Sequence, residues 1–191
     1  ASYTLTVNPK TYTITVANNI SNGSISADKS SAVEGATIKL TAKPNTGYKL
    51  DTWNVKDASN NSVSVNANGE FTMPASNVTV SATFVAIPQL DTPTNLSATD
   101  VTTTAATLTW DWIDNENSQY LNGYNLYYKK VGDANFTGPI TCNSKSSTRN
   151  GLTPNTEYVF KVAATSNNIN ECKSSEQSAE FTFKTKDLTQ L

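Results

Sequence analysis

GLTPNTEYVFKVAA, residues 151–164, is the stretch of this chain that says most about its fold. Tyr158, Phe160 and Val162 fall on every second position, which is the period of a β-strand with one buried face. Gly151 and Pro154 stand just before this strand, and both residue types favour turns because of their backbone conformations. The stretch therefore predicts a turn that leads directly into a half-buried strand.

The same period recurs along the chain, and no segment keeps the 3.6-residue period of a helix. Strands are predicted at residues 12–16, 38–42, 78–84, 108–110 and 124–128. Glycine-bearing turn pairs stand between them, at residues 22–23, 34–35, 46–47, 68–69, 122–123 and 150–151. We therefore expect an all-β chain.

The composition agrees with many short strands around thin cores. Apolar residues make up 37% of the 191 residues and charged residues 16%, below the usual averages of roughly 45–50% and 25%. The difference is filled by 29 Thr, which suit a pleated sheet, and by 23 Asn and 20 Ser, which favour turns. Seventeen aromatic residues and the regular alternation argue against disorder.

The charge pattern excludes several kinds of partner. A net charge of −2 without a basic cluster gives no electrostatic binding surface for nucleic acid or anionic lipid.

No apolar run approaches the roughly 20 residues that span a bilayer, so we expect no direct membrane insertion. The chain starts at Ala1 rather than Met, from which we expect export by a removed signal peptide to the cell surface or the extracellular space.

Residue types needed for common catalytic sites are missing. The chain has no histidine, which excludes Ser-His-Asp and Cys-His sites and histidine-bound zinc, and two cysteines are too few for a four-thiolate zinc site. Asp111, Asp114 and Glu116 cluster, but they lack EF-hand spacing and are interpreted as a solvated loop. We predict a protein that is not an enzyme, with no catalytic residue, metal or cofactor.

A proline-bearing segment at residues 86–93 divides the chain. Pro88 and Pro93 lack backbone donors and favour extended conformation, which suits a short, stiff connector. The predicted domains are residues 1–86 and 87–191. Residues 3–7 echo the strand at 12–16, and they are interpreted as an extra edge strand or as the tail of a preceding module; their role stays open.

The second half resembles a fibronectin type III domain. The residues that carry the resemblance are 92–96, 106–110, 123–129 and above all 151–164. It implies an immunoglobulin-like β-sandwich in which Trp110 is the core tryptophan. It also implies that Leu152, Pro154 and Tyr158 form the structural tyrosine corner, where the phenol satisfies a backbone group. The integrin-binding Arg-Gly-Asp tripeptide is absent, since the only arginine is Arg149.

The first half resembles a divergent internalin-type B-repeat domain of bacterial surface proteins. Successive blocks carry this resemblance, at residues 12–16, 22–26, 33–44, 47–53, 71–75 and 78–84. The fold class that follows is all-β, with two tandem antiparallel modules. Both families imply extracellular spacer or adhesive roles.

The type III resemblance brings the two cysteines to one end of the sandwich. It places Cys142 near the end of a strand and Cys172 in the loop after the strand that begins at Tyr158. A disulfide between them is the expectation for an exported protein, and two reduced thiols are the alternative.

Three groups of aromatic and apolar residues have two interpretations each. Trp112 and Tyr120 flank a polar loop, where they would contact a sugar ring or cap the end of a thin core. Trp53 belongs in the core by the B-repeat resemblance, with ligand stacking as the alternative. Tyr127 and Val159 point away from the type III core, either toward a neighbouring module or as scattered surface residues.

These observations predict a non-catalytic segment of an exported bacterial surface protein that acts as a spacer or adhesion module. The alternative is an accessory carbohydrate-binding unit of an exported glycan-degrading system. The expected partners are a host-matrix protein or a glycan, together with neighbouring modules of the same protein.

Overall fold

The computed structural model describes residues 8–190, so the predicted extra strand at residues 3–7 lies outside the described residues. The chain divides into two compact units, Ala1–Ala86 and Ile87–Leu191. Among the described residues there are fifteen strands and two three-residue 3-10 turns, Ser118–Tyr120 and Leu188–Gln190, and no α-helix. The predicted all-β class is confirmed.

Eight strands form the first unit: β1 Thr11–Val16, β2 Gly23–Ala27, β3 Ser31–Val33, β4 Thr37–Pro44, β5 Tyr48–Asp57, β6 Ser62–Val63, β7 Glu70–Thr72 and β8 Val78–Ala86. They make a five-stranded sheet in the order β3-β1-β8-β5-β6 and a three-stranded sheet in the order β2-β4-β7. One pair, β1 with β8, is parallel, which departs from the antiparallel pairing predicted for both modules. Most of the unit lies between these two strands, which gives the long connection that a parallel pair needs.

The core of the first unit follows the alternation of its strands. In β8, Val78 and Val80 are buried and Thr79 is exposed. Ile38 of β4 is fully buried in the same cluster, and Trp53 packs against that cluster with its ring half-buried. The indole of Trp53 is therefore part of the packing of this unit, as the B-repeat resemblance implied.

Seven strands form the second unit: β9 Thr94–Thr99, β10 Ala105–Asp111, β11 Leu121–Lys130, β12 Thr137–Cys142, β13 Ser146–Asn150, β14 Glu157–Ser166 and β15 Phe181–Lys184. All pairs are antiparallel, in one sheet of order β13-β10-β9 and another of order β12-β11-β14-β15. A single core of buried side chains lies between these two sheets, centred on Leu108, Trp110, Leu126 and Phe160.

The residues predicted as a connector are bound to the second unit. Pro88 accepts a hydrogen bond from the Lys173 N–H at 2.8 Å, and the Leu90 N–H donates to the Lys173 carbonyl at 2.9 Å. The Leu90 side chain is only 2% exposed and belongs to the core cluster. Residues 88–90 are therefore a bridged edge of the sandwich rather than a solvated connector.

The segment before β15 pairs with β14 through serine side chains. The Val162 N–H donates to Ser178 Oγ at 3.0 Å, the Ala164 N–H to Ser175 Oγ at 2.8 Å, and the Ser166 N–H to Ser174 Oγ at 3.0 Å. Hydroxyl groups thus occupy the places that backbone carbonyls take in a regular ladder.

Val159, which was expected to face a neighbouring module or solvent, is buried within its own unit. It lies opposite Lys129 on β11 and Thr182 on β15, and it is 5% exposed. The ring of Phe136 lies within 4.8 Å of the Lys129 ammonium and 4.2 Å of the Lys161 ammonium. The side chains of Lys129, Lys161 and Phe136 therefore cover part of the outer face of this sheet.

Candidate functional site

The turn at residues 151–154 holds the corner of the sandwich. The Thr153 N–H donates to Tyr158 Oη at 2.9 Å, and Leu152 is buried behind it. Pro154, half-buried, accepts at its carbonyl a hydrogen bond from Thr156 Oγ1 at 2.8 Å. The phenol of Tyr158 satisfies a backbone donor that has no strand partner, so these residues have a structural role.

Trp112 does not face solvent, which favours the second of its two interpretations, that it caps the end of a thin core. Its ring is 4% exposed, and its Nε1 donates to the Asp91 carbonyl at 2.8 Å. Tyr120 is half-buried and packs against the same core cluster. Trp112 lies on the same face as Trp110, two positions further on, so the ring closes the end of the core instead of leaving it.

The disulfide predicted between Cys142 and Cys172 is not formed in the structure. Cys142 lies opposite Tyr124 on β11, which lies opposite Ala164 on β14, and Ala164 bonds Ser175 on its far side. At about 4.8 Å per strand, β11 and β14 separate Cys142 from the segment that carries Cys172. That separation exceeds the roughly 7 Å between Cα atoms that a disulfide allows.

The polar loop after β10 is held from both sides. Asn115 Nδ2 donates to the Asp91 carboxylate at 2.6 Å, and the Asn115 N–H donates to Ser118 Oγ at 2.7 Å. At the other end, the Asn167 N–H donates to the Tyr120 carbonyl at 2.9 Å. These bonds fix the loop to the start of β9 and to the loop after β14.

A groove opens beside this loop at one end of the second unit. Its volume is about 450 Å³, and it is lined by Trp112, Asp114, residues 121–124 and residues 143–145. The loop after β10, the start of β11 and the loop between β12 and β13 therefore each supply one wall. Of the residues predicted as ligand contacts, only Trp112 lines it; Tyr120 does not.

Gly123 shapes the floor of the groove. Its φ of +137° is rare for residues with a side chain, and an added Cβ would lie 2.7 Å from the Cys142 carbonyl oxygen. The sequence pattern had placed a turn at residues 122–123, but both lie within β11, where the register shifts between Leu121 and Gly123. The glycine marks a β-bulge rather than a chain reversal.

Tyr124 is the most constrained polar side chain in the groove. It is 3% exposed, and its ring meets that of Trp110 edge-on at 5.4 Å between centroids. Burial raises the pKa of the Tyr124 phenol, and the negative charge of Asp114 raises that pKa further. Within residues 8–190, Trp110 Nε1 is the buried side-chain atom without a partner, and the Tyr124 hydroxyl, which makes no hydrogen bond there, is open to the groove.

Lys145 joins the loop between β12 and β13 to the end of β10 and the loop that follows it. Its carbonyl accepts from the Trp110 N–H at 3.1 Å, and its ammonium donates to the Trp112 carbonyl at 3.2 Å. Asn143 and Ser144 precede it and are exposed. Sequence reasoning missed residues 122–124 and 143–145 as a site, because only the pairing of β11 with β12 brings them together.

The carboxylates near this loop are engaged with amides or exposed to solvent. Asp111 accepts from Asn95 Nδ2 at 3.0 Å, whereas Asp114 and Glu116 are exposed. In the described part of the chain no three His, Cys, Asp or Glu residues come together as a group that could hold a metal ion.

Three- and four-stranded antiparallel sheets around one aromatic core define the second unit as an immunoglobulin-like β-sandwich. Residues 91–181 match the family model of the fibronectin type III domain, and residues 12–88 match that of the divergent InlB B-repeat domain. Both resemblances seen in the sequence are confirmed. The two families are typically non-catalytic modules, and B-repeats come from bacterial surface proteins.

Several solved structures are similar to part of the chain. A structure described as a myokine is 23% identical over 52% of this chain and 98% of its own, with a TM-score of 0.42. The fibronectin type III domain of human fibronectin type III domain containing protein 3 is 20% identical over 56% of this chain and 94% of its own, with a TM-score of 0.43. The structure of the chicken CNTN1 FN1-FN3 domains is 17% identical over 82% of this chain and 44% of its own, with a TM-score of 0.42.

A search of the curated proteins found no match. Among the described residues, no helix has the length and apolar character required to cross a membrane.

Proposed function

We propose that this chain is a non-catalytic spacer and adhesion segment of an exported bacterial surface protein. The observation that carries the proposal is the tandem occurrence of a B-repeat domain and a fibronectin type III domain, each with its own core. Modules that fold around separate cores can be joined in series, which is what a surface spacer requires.

The polar residues of the loop after β10 support a non-catalytic role. Asp91 and Asp111 each accept a hydrogen bond from an asparagine amide, so the Asp91 carboxylate holds the loop and the Asp111 carboxylate joins β10 to β9. Without histidine, hydrolysis would depend on a carboxylate pair facing a cleft. Asp114 is the one carboxylate among the residues that line the groove.

The test uses a bacterium that carries the parent protein. Antibodies raised against the purified chain should label intact cells, and protease treatment of intact cells should remove the label. Deletion of the segment should lower attachment of the cells to surfaces coated with host-matrix protein or glycan. Labelling that needs permeabilised cells would overturn export, and unchanged attachment after deletion would overturn the spacer and adhesion role.

A second candidate function is an accessory carbohydrate-binding unit of an exported glycan-degrading system. The observation that favours it is the groove at the end of the second unit, where amide, hydroxyl, carboxylate and ammonium groups meet. Retention of the purified chain on an insoluble polysaccharide column, compared with a bovine serum albumin control, tests it directly.

A further inference from the structure

We propose that the groove binds a neutral saccharide by hydrogen bonds alone, with the hydroxyl of Tyr124 as the contact at its floor. The proposal rests on the second candidate function above and names its site and its ligand chemistry.

The hydroxyl of Tyr124 has hydrogen-bonding capacity that the protein does not use. The residue is only 3% exposed, yet it lines the groove, and no group within residues 8–190 bonds its hydroxyl. The hydroxyl is not one of the buried atoms that lack a partner, so in the free protein it faces water in the groove. A ligand hydroxyl placed in the groove would replace that water.

The charged groups at the groove give no net attraction for a charged ligand. Asp114 brings a carboxylate and Lys145 an ammonium group, so a ligand of either charge meets one attractive and one repulsive group. The Lys145 ammonium uses one of its three donors on the Trp112 carbonyl, which leaves two. Asp114 accepts from hydroxyls, and the amides of Asn122 and Asn143 both donate and accept. Mixed donors and acceptors of this kind match the hydroxyl groups of a sugar.

The walls of the groove are already ordered. Asn115 is bonded to Asp91, Trp112 Nε1 to the Asp91 carbonyl, and the Trp110 N–H to the Lys145 carbonyl. Gly123 fixes the floor, since any side chain there would collide with the Cys142 carbonyl. An ordered site loses little conformational entropy when a ligand binds.

Aromatic stacking contributes nothing to this mode of binding. The Trp112 ring lines the groove but is only 4% exposed, so it offers no face to a sugar ring. Hydrogen bonds to a solvated ligand give weak net affinity, so the experiment must detect weak complexes.

The experiment is an NMR titration of the full chain, labelled with ¹⁵N. The neutral probes are cellobiose, maltose and di-N-acetylchitobiose; the charged probes are sialyllactose, glucosamine and inorganic phosphate. We expect at least one neutral disaccharide to shift the amide signals of residues 114, 122–124 and 143–145. Tyr124→Phe should weaken that binding about fivefold, the effect of losing one hydrogen bond of about 1 kcal/mol.

Tyr127→Phe is the matched control, because Tyr127 lies on β11 but on the outer face, away from the groove. It should leave the affinity unchanged. If Tyr124→Phe does not give a folded spectrum, Asp114→Asn is the second variant, since Asp114 is exposed and has no structural bond. It should weaken the same binding at least about threefold.

Three outcomes overturn the proposal: no shift with any neutral probe, shifts located elsewhere, or binding confined to the charged probes. Equal affinity in wild type and Tyr124→Phe would also overturn it. None of these results bears on whether intact cells display the segment, so the spacer and adhesion proposal is decided separately by the labelling experiment.

Discussion

Ser178 and Val162 are joined by two hydrogen bonds that run in opposite directions. The Ser178 N–H donates to the Val162 carbonyl at 2.8 Å, and the Val162 N–H donates to Ser178 Oγ at 3.0 Å. Ser175 repeats the arrangement on Ala164. Each hydroxyl also donates to the carbonyl of the residue that follows it. The hydroxyl therefore takes the place of a backbone carbonyl, which accepts the N–H of the neighbouring strand in a regular sheet.

Ser178→Ala should lower the free energy of unfolding of the second unit by about 1–3 kcal/mol, because it leaves the buried Val162 N–H unsatisfied. Urea denaturation followed by tryptophan fluorescence measures the effect. Ser146→Ala is the control, since Ser146 is exposed on β13 and its hydroxyl makes no bond within the described residues. Equal stability of the two variants would show that the Ser178 hydroxyl has no structural role.

Tyr158→Phe should lower the free energy of unfolding by about 1–2 kcal/mol, because the Thr153 N–H loses its acceptor while the ring remains. Stacking of the ring on Phe183, at 5.8 Å between centroids, should persist. The comparison with Tyr127→Phe by thermal denaturation isolates the hydrogen bond. A melting temperature equal to that of the control would contradict the prediction.

Trp112→Ala should destabilise the second unit by roughly 3–5 kcal/mol, because a buried ring is removed from the end of the core. Trp112→Phe should cost less, since a ring remains and only the bond from Nε1 to the Asp91 carbonyl is lost. Chemical denaturation of both variants shows which of the two lowers the free energy of unfolding more. Wild-type stability in Trp112→Ala would restore the solvent-facing interpretation of this residue.

Alkaline pH should reduce stability through Tyr124. Burial and the charge of Asp114 raise the pKa of this phenol above its usual value near 10, so the unfolded chain loses the proton first. The stabilisation is complete below pH of about 10 and falls as pH rises through the higher pKa of the folded state. Urea denaturation between pH 8 and 11 should show a steeper decline for wild type than for Tyr124→Phe, and parallel declines would contradict this origin.

The two cysteines should react as thiols. Ellman's reagent on denatured, unreduced protein should find two thiols per chain, and the folded protein should react slowly because Cys142 and Cys172 are 7% and 0% exposed. Addition of a reducing agent should leave the melting temperature unchanged. No reactive thiol in the denatured protein would mean that the strands rearrange to allow a disulfide.

Alternation predicted three of the seven strands of the second unit, β10, β11 and β14, because burial on one face imposes a period of two on the sequence. The strand β14 and the burial of Tyr158, Phe160 and Val162 follow directly from that period. The corner at Thr153 followed from the family resemblance rather than from alternation.

Features that depend on contacts between distant segments were not predictable from the sequence. A glycine after an asparagine reads as a turn, and only the register of β11 against β14 shows that Gly123 is a bulge. The serines before β15 read as a polar loop, because nothing local shows that the N–H groups of β14 would need them. The groove arises in the same way, because residues 143–145 come beside residues 112–114 and 121–124 only in the folded sandwich.

The serine contacts also bear on how such a module behaves among many copies of itself. An uncovered strand edge with open N–H groups invites a strand from another molecule and leads to aggregation. Along β14 the N–H groups of Val162, Ala164 and Ser166 are already occupied by hydroxyls, and at the opposite edge of the sheet β12 carries Pro139, which has no N–H to offer. This sheet therefore offers few open N–H groups to a strand of another copy when modules are crowded together at high local concentration.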